Sequence, residues 1–143
     1  DRRFQYKGPY HGAKVIDDYA HHPTEIRATM EAAENCAHRT LWCVFQPHTY
    51  TRTRAFLKDF ASALSLADKV ILADIYAARE KDPGDISSAD LARELEKLGK
   101  EVHYLRSFDE IEKFILKNLV NGDLLITMGA GNIVEIGENL LNN

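Results

Sequence analysis

The nine residues Asp17 to Glu25, DDYAHHPTE, bring together an acidic pair, a phenol, two adjacent imidazoles and a proline. The proline suits the first turn of a helix, and a short apolar run, Val15-Ile16, precedes the pair. This reads as a strand-to-helix junction crowded with polar groups. In open α/β sheets, ligands bind beyond the carboxyl ends of the strands. A carboxylate there can accept hydrogen bonds from ribose hydroxyls; the alternative is an anion favoured by a helix N-terminus. Successive strand residues alternate faces, so only one of Asp17 and Asp18 need point into a cleft. His21 and His22 are adjacent rather than four apart, which is not the spacing of two metal ligands on a helix. Substrate hydrogen bonding or capping is expected of them, with His48 as the residue that would converge on them.

A second cluster is QPHTYTRTR, Gln46 to Arg54. Arg52 and Arg54 fall at the start of a helix, where cations oppose the macrodipole. Their placement therefore points to a carboxylate or phosphate, which the planar guanidinium fork matches. A helix can turn only one of them inward, and Arg54 is the weaker candidate. The third cluster, GAGNI (Gly129 to Ile133), resembles part of a glycine-rich phosphate turn but lacks the third glycine of the dinucleotide spacing. Close backbone packing is its other reading. Arg79 and Glu80 sit in a charged loop near the same edge.

The elements that must position these clusters follow from hydrophobic period. Residues 2–7 and 13–18 are strand candidates around a Gly-Pro-containing turn, an antiparallel hairpin. Ile26, Met30, Ala33 and Ala37 mark one stripe of a helix from Pro23 to about His38. Residues 41–45 form a fully apolar strand, as expected for one covered on both faces. A helix over 51–65 follows, with Phe56, Phe60 and Leu64 inward, then a strand over 69–75. Residues 76–87 form a long loop, a length often tied to function. A helix over 88–98 stops at Gly99. A strand over 101–106 leads to a helix capped by Ser107 and Glu110. A strand over 123–128 and a last helix carrying Ile133, Ile136 and Leu140 complete the chain. Alternating strands and helices imply βαβ crossovers. The expected fold is α/β, a Rossmann-like three-layer domain with a mainly parallel sheet and an antiparallel N-terminal strand. In it, residues 18–22, 48–54 and 129–132 face one cleft.

The 143 residues fit one domain, and 45% apolar content permits a core without disulfides or metal. The net charge of −4 argues against a nucleic-acid groove or an anionic membrane surface as the main partner. Cys36 and Cys43 read as small hydrophobes in a reducing compartment. No apolar run approaches the length of a membrane span, and no signal peptide is visible. The chain starts without methionine, so a piece of a longer protein is expected. A receiver-type acidic pocket built on Asp17, Asp18 and Asp74 would want a lysine at the end of the last strand, which here reads Thr127-Met128-Gly129.

Taken in order and spacing, DDYAHHPTE, FQPHTYTRTR, DIYAARE and GAGNI resemble the carboxyl-terminal domain of the Mur ligase family. The resemblance runs from DRRFQ to the last helix. It implies a cytoplasmic, ATP- and Mg2+-dependent amide-forming ligase of peptidoglycan synthesis, with UDP-N-acetylmuramate and L-alanine as substrates and an acyl phosphate between them. Such ligases have three domains. Residues 1–143 would be the third, closing over the N-terminal and central domains, with no nucleic-acid or membrane partner. No G-x-x-x-x-G-K-[ST] phosphate loop occurs in the chain, so the domain alone is expected to be inactive. The resemblance further implies that Asp18 bonds the ATP ribose and that Tyr19 and His21 line the amino-acid and acyl-phosphate site. Arg52 would grip the amino-acid carboxylate. Family members often carry arginine where this chain has Thr49, so Arg52 would act alone or with His48. His22 and Glu25 would orient the loop, GAGNI would be a structural turn, and His21 is the candidate general base. The competing expectation is a stand-alone Rossmann-like nucleotide- or ligand-binding module without catalysis.

Overall fold

A computed structural model describes residues 2–142. Six strands form one sheet in the order β1-β2-β6-β3-β4-β5. β1 (Gln5–Tyr10) pairs antiparallel with β2 (Ala13–Asp18). Their connection carries positive φ at both His11 and Gly12, the backbone that lets a two-residue hairpin match the strand twist. The other strands, β3 (Leu41–Phe45), β4 (Lys69–Leu72), β5 (Glu101–Tyr104) and β6 (Leu124–Met128), run parallel to β2. Asp18 and Phe45 both pair with Met128. The three central strands therefore end level, and the residues after them leave the sheet at one edge.

Helices cover both faces. α1 (Pro23–Glu34), α3 (Leu57–Leu64) and α4 (Ser88–Lys97) share a core with Ile16, Cys43, Phe45, Val70, Leu72, Ile126 and Met128. α5 (Phe108–Asn118) and α6 (Val134–Leu141) pack on Val15, Trp42, Val44, Ile71 and Leu125. Residues of the central strands β3, β4 and β6 thus alternate between two cores, which is why these strands read as apolar runs. The three-layer α/β expectation holds. Among the described residues, no helix is long and apolar enough to cross a membrane.

Several expected bounds shift. α1 stops at Glu34, because the chain turns at Asn35 and Arg39 N–H bonds the Gly122 carbonyl at 2.8 Å, pulling the segment toward β3. Ala37, expected in the buried stripe, is exposed. The helix expected over 51–65 is two pieces, α2 (Tyr50–Ala55) and α3, broken at Phe56 where φ is −120° and ψ is 29°. That phase change turns Phe56 out to 44% exposure rather than inward, while Phe60 and Leu64 stay buried. β4 ends at Leu72, three residues early, though Ala73 N–H continues its ladder, to Phe45 O at 3.0 Å.

Candidate functional site

The three polar junctions meet at the carboxyl edge because the hydrogen bonding carries on past the strands. Gly129 N–H bonds Asp18 O at 3.1 Å, and Gln46 N–H bonds Met128 O at 3.0 Å. Gln46 Nε2 donates to Asn132 Oδ1 at 2.9 Å, fastening the β3 end to the turn before α6. Beyond β4, Tyr76 N–H reaches Pro47 O at 2.8 Å and Thr49 N–H reaches Tyr76 O at 2.8 Å. Four strand ends are thus tied into one floor.

On this floor the imidazoles converge. His21 lies 4.6 Å from His22 and 5.6 Å from His48, ring centroid to centroid. Tyr19 meets His21 edge-on at 5.4 Å, and Tyr76 stacks on His48 at 5.7 Å. His21 Nδ1 is 3.0 Å from the Tyr19 carbonyl oxygen, which can only accept. Nδ1 therefore carries the proton, and in the neutral ring Nε2 holds a lone pair. Arg52 Nη1 sits 3.4 Å from His48 Nδ1, which must then accept. Burial, followed by His21 and Arg52, lowers the His48 pKa. Burial, followed by Arg52 and His21, lowers that of His22. Neutral imidazoles beside a fixed guanidinium make a site that attracts an anion and can take up a proton.

The helix that presents Arg52 starts from a strained residue. Thr49 has φ +67° and ψ 148°, a region that is essentially glycine-only and costs on the order of 1–3 kcal/mol. Its hydroxyl caps Arg52 N–H at 3.2 Å, and its carbonyl accepts the Thr53 hydroxyl at 2.7 Å. Glu80 Oε1 accepts the N–H groups of Tyr50 at 2.7 Å and Thr51 at 3.1 Å. A bond from Thr51 leads the causes that lower the Glu80 pKa. Expected as a loop residue near the cleft, Glu80 anchors the first turn of α2.

Both aspartates of the opening pair are buried. Asp17 accepts Thr127 Oγ1 and Arg2 Nε, each at 2.8 Å. Asp18 accepts Phe4 N–H and Ala20 N–H at 2.8 Å and Thr29 Oγ1 at 3.0 Å. Its Oδ1 also faces the half-exposed Arg3 guanidinium at 3.9 Å. Glu25 Oε1 takes the N–H groups of His21 and His22, both at 3.2 Å, and so fixes the double histidine. Burial opposes charge on Glu25, but these two bonds, with His21 and Arg3, hold its carboxyl below the usual value.

Metal-ligand atoms of His21, His22 and Glu25 lie within 4.8 Å of one another. The chemistry around them disfavours a cation. Glu25 is committed to two N–H donors and to Arg3 at 3.5 Å, and Arg52 adds positive charge beside His22 and His48.

Of the residues expected at the site, Tyr19, His21, His22, His48 and Arg52 come together, and Asp18 lies beneath them. Arg54 does not join them; it pairs with Asp85. Arg79 is exposed. Cys43 lies in the core below, a free thiol whose pKa is driven up by burial and by Asp18. Sequence reasoning placed Asn132 at the cleft without a role and missed Arg2, Gln46 and Tyr76 there. Gln46 and Asn132 stood inside recognised clusters, and Tyr76 opened the long loop. Arg2 had no signal beyond its charge.

Comparisons with known proteins place the chain in a family. A UDP-N-acetylmuramate–L-alanine ligase of Lachnoclostridium phytofermentans is 62% identical over 141 residues, 99% of this chain and 30% of that protein. The chain thus spans about 30% of the length of such curated relatives. A solved UDP-N-acetylmuramate–alanine ligase from Thermotoga maritima superposes with a TM-score of 0.77 at 30% identity, over 99% of this chain and 29% of that one. A solved ligase domain from Haemophilus ducreyi gives a TM-score of 0.72 at 26% identity, with 98% of each chain covered. The family model for the Mur ligase glutamate ligase domain matches residues 2–131, and the chain belongs to the Mur ligase family.

Proposed function

We propose that this chain is the carboxyl-terminal domain of a three-domain, ATP-dependent ligase that joins L-alanine to UDP-N-acetylmuramate in the cytoplasmic stage of peptidoglycan synthesis. The observation that carries the reading is the meeting of Tyr19, His21, His48 and Arg52 on one edge, in a chain so similar to one third of such ligases. Arg52 would hold the amino-acid carboxylate, with His48 beside it because Thr49 supplies no second guanidinium. His21 Nε2 would accept the proton that the ammonium group must lose before it attacks the acyl phosphate. Tyr19 would wall the site. Asp18 would meet the ATP ribose at Oδ1, on the side that Arg3 now faces. Closing this edge over the other domains would hold the amine against the acyl phosphate and exclude water.

The donor set does not fit magnesium, which prefers oxygen ligands. ATP phosphates and Mg2+ are assigned to the central domain, and no step here runs through them. The test is phosphate release by the parent enzyme, dependent on ATP, UDP-N-acetylmuramate and L-alanine. Arg52→Ala should raise the KM for L-alanine by about tenfold or more, the loss of a charge-assisted grip. A variant with wild-type KM would move the carboxylate grip elsewhere.

A further inference from the structure

We propose that Arg2 is a positioning residue that clamps the floor of this site. The inference rests on the ligase reading only for its catalytic consequence. Its guanidinium touches three separate pieces at once. Nε donates to Asp17 Oδ2 at 2.8 Å, Nη2 to the Gly129 carbonyl at 3.0 Å and Nη1 to the Gly131 carbonyl at 3.2 Å. Its Cζ lies 5.1 Å from the centre of the Tyr19 ring, a cation–π distance. The Arg2 carbonyl in turn accepts Tyr19 N–H at 2.6 Å. One residue therefore fixes the end of β2, the glycine turn after β6, and both the backbone and the ring of Tyr19.

The arrangement needs arginine's geometry. The Asp17 side chain is 1% exposed, and Arg2 is its ion-pair partner. A lysine could keep that pair as a point charge, but it cannot span two carbonyls and stack on a ring together. The Gly129 and Gly131 carbonyls both accept from Arg2, so the guanidinium braces the turn alongside its bonds to Asp18 and Gln46. The clamp also comes from the segment that leads into β1. Placement of that segment and shape of the site are mechanically the same event.

Arg2→Lys separates the clamp from the ion pair. A second variant, Arg2→Met with Asp17→Asn, removes the clamp without burying an unpaired carboxylate, in case charge loss alone prevents folding. Amide hydrogen exchange on each variant is the readout that a merely stabilising role would not localise. The expected result is exchange at least about tenfold faster over residues 19–22 and 129–132, with β3 and β4 unchanged. In the parent enzyme the same variants should raise the KM for L-alanine by about tenfold and leave the KM for ATP within about twofold. Unchanged exchange at both segments overturns the clamp. Loosened segments with an unchanged KM for L-alanine and unchanged kcat overturn its role in positioning the site. If wild-type enzyme releases no phosphate with L-alanine, the ligase reading is what fails, and the exchange experiment still decides the clamp.

Discussion

At the residue scale, the site stores its chemistry in neutral imidazoles. The folded chain holds His22 and His48 below the free-histidine value of 6.5, chiefly by burial and then by neighbouring positive charge. Between the folded and unfolded values the unfolded chain binds more protons, so stability rises with pH. The stability is intact above the unfolded value and is lost as pH falls through the folded values. Glu25 and Glu80 are also lowered, from 4.5, and act in the same direction in a more acid window. The melting temperature should therefore fall on acidification from about pH 7.5 to about pH 5.5, before the carboxylates titrate. His48→Gln keeps an acceptor for Arg52 but removes the titration. Calorimetry of the variant should show a shallower fall over that interval; an equal slope would exclude His48 as a source. Arg52 is the constant in this system, since its charge does not change with pH and it biases both imidazoles toward neutrality.

At the scale of elements, the junctions depend on close packing that only glycine permits. A Cβ on Gly131 would stand 2.6 Å from Gln46 Oε1 and 2.8 Å from the Tyr76 ring, both inside contact distance. Gly131→Ala should therefore cost about 1–3 kcal/mol, read by urea denaturation, and should separate the β3 end from the α6 turn. A stability equal to wild type would mean that Tyr76, 37% exposed, swings away freely. This contact was only half legible in the sequence. GAGNI was readable as a close-packed turn, but the partners of a glycine lie on other strands and leave no local pattern. The central strands β3, β4 and β6 were legible because they are apolar on both faces, and their alternation with helices set the parallel topology. The break at Phe56 was not, since the apolar spacing of Phe56, Phe60 and Leu64 is that of one unbroken helix. Thr49 explains part of it. A helix launched from a strained cap, with its first turn held by Glu80, is oriented by the loop rather than by its own stripe. The convergence of Tyr19, His21, His48 and Arg52 was legible from topology alone, because strands that end level must deliver their next residues to one edge. Arg2 was not, because its contacts lie 15 to 129 residues away in sequence.

At the scale of the whole molecule, the architecture separates the packed cores from the polar edge. The two cores lie on opposite faces of the sheet, and the polar groups gather at one edge where neither core reaches. That edge offers imidazoles, a phenol and a guanidinium. Holding ATP phosphates calls for a backbone nest or phosphate loop, and holding magnesium calls for available carboxylates. Carboxylates around the site are engaged by internal donors: Asp17 by Arg2 and Thr127, Asp18 by Phe4, Ala20 and Thr29, Glu25 by two backbone N–H groups, and Glu80 by the N–H groups of Tyr50 and Thr51. On the proposed ligase reading, this domain would orient the amino acid and exclude water, and the rest of the enzyme would activate the carboxylate. The 143-residue chain should fold by itself, as its complete two-faced core and the solved Haemophilus ducreyi domain of matching extent both favour. Purified alone, it should show one cooperative thermal transition and no phosphate release from ATP, with or without L-alanine and UDP-N-acetylmuramate. The parent ligase assayed beside it supplies the positive control. Turnover by the lone chain, resistant to repeated purification and absent in Arg52→Ala, would overturn this division of labour and place the phosphate chemistry on the edge itself.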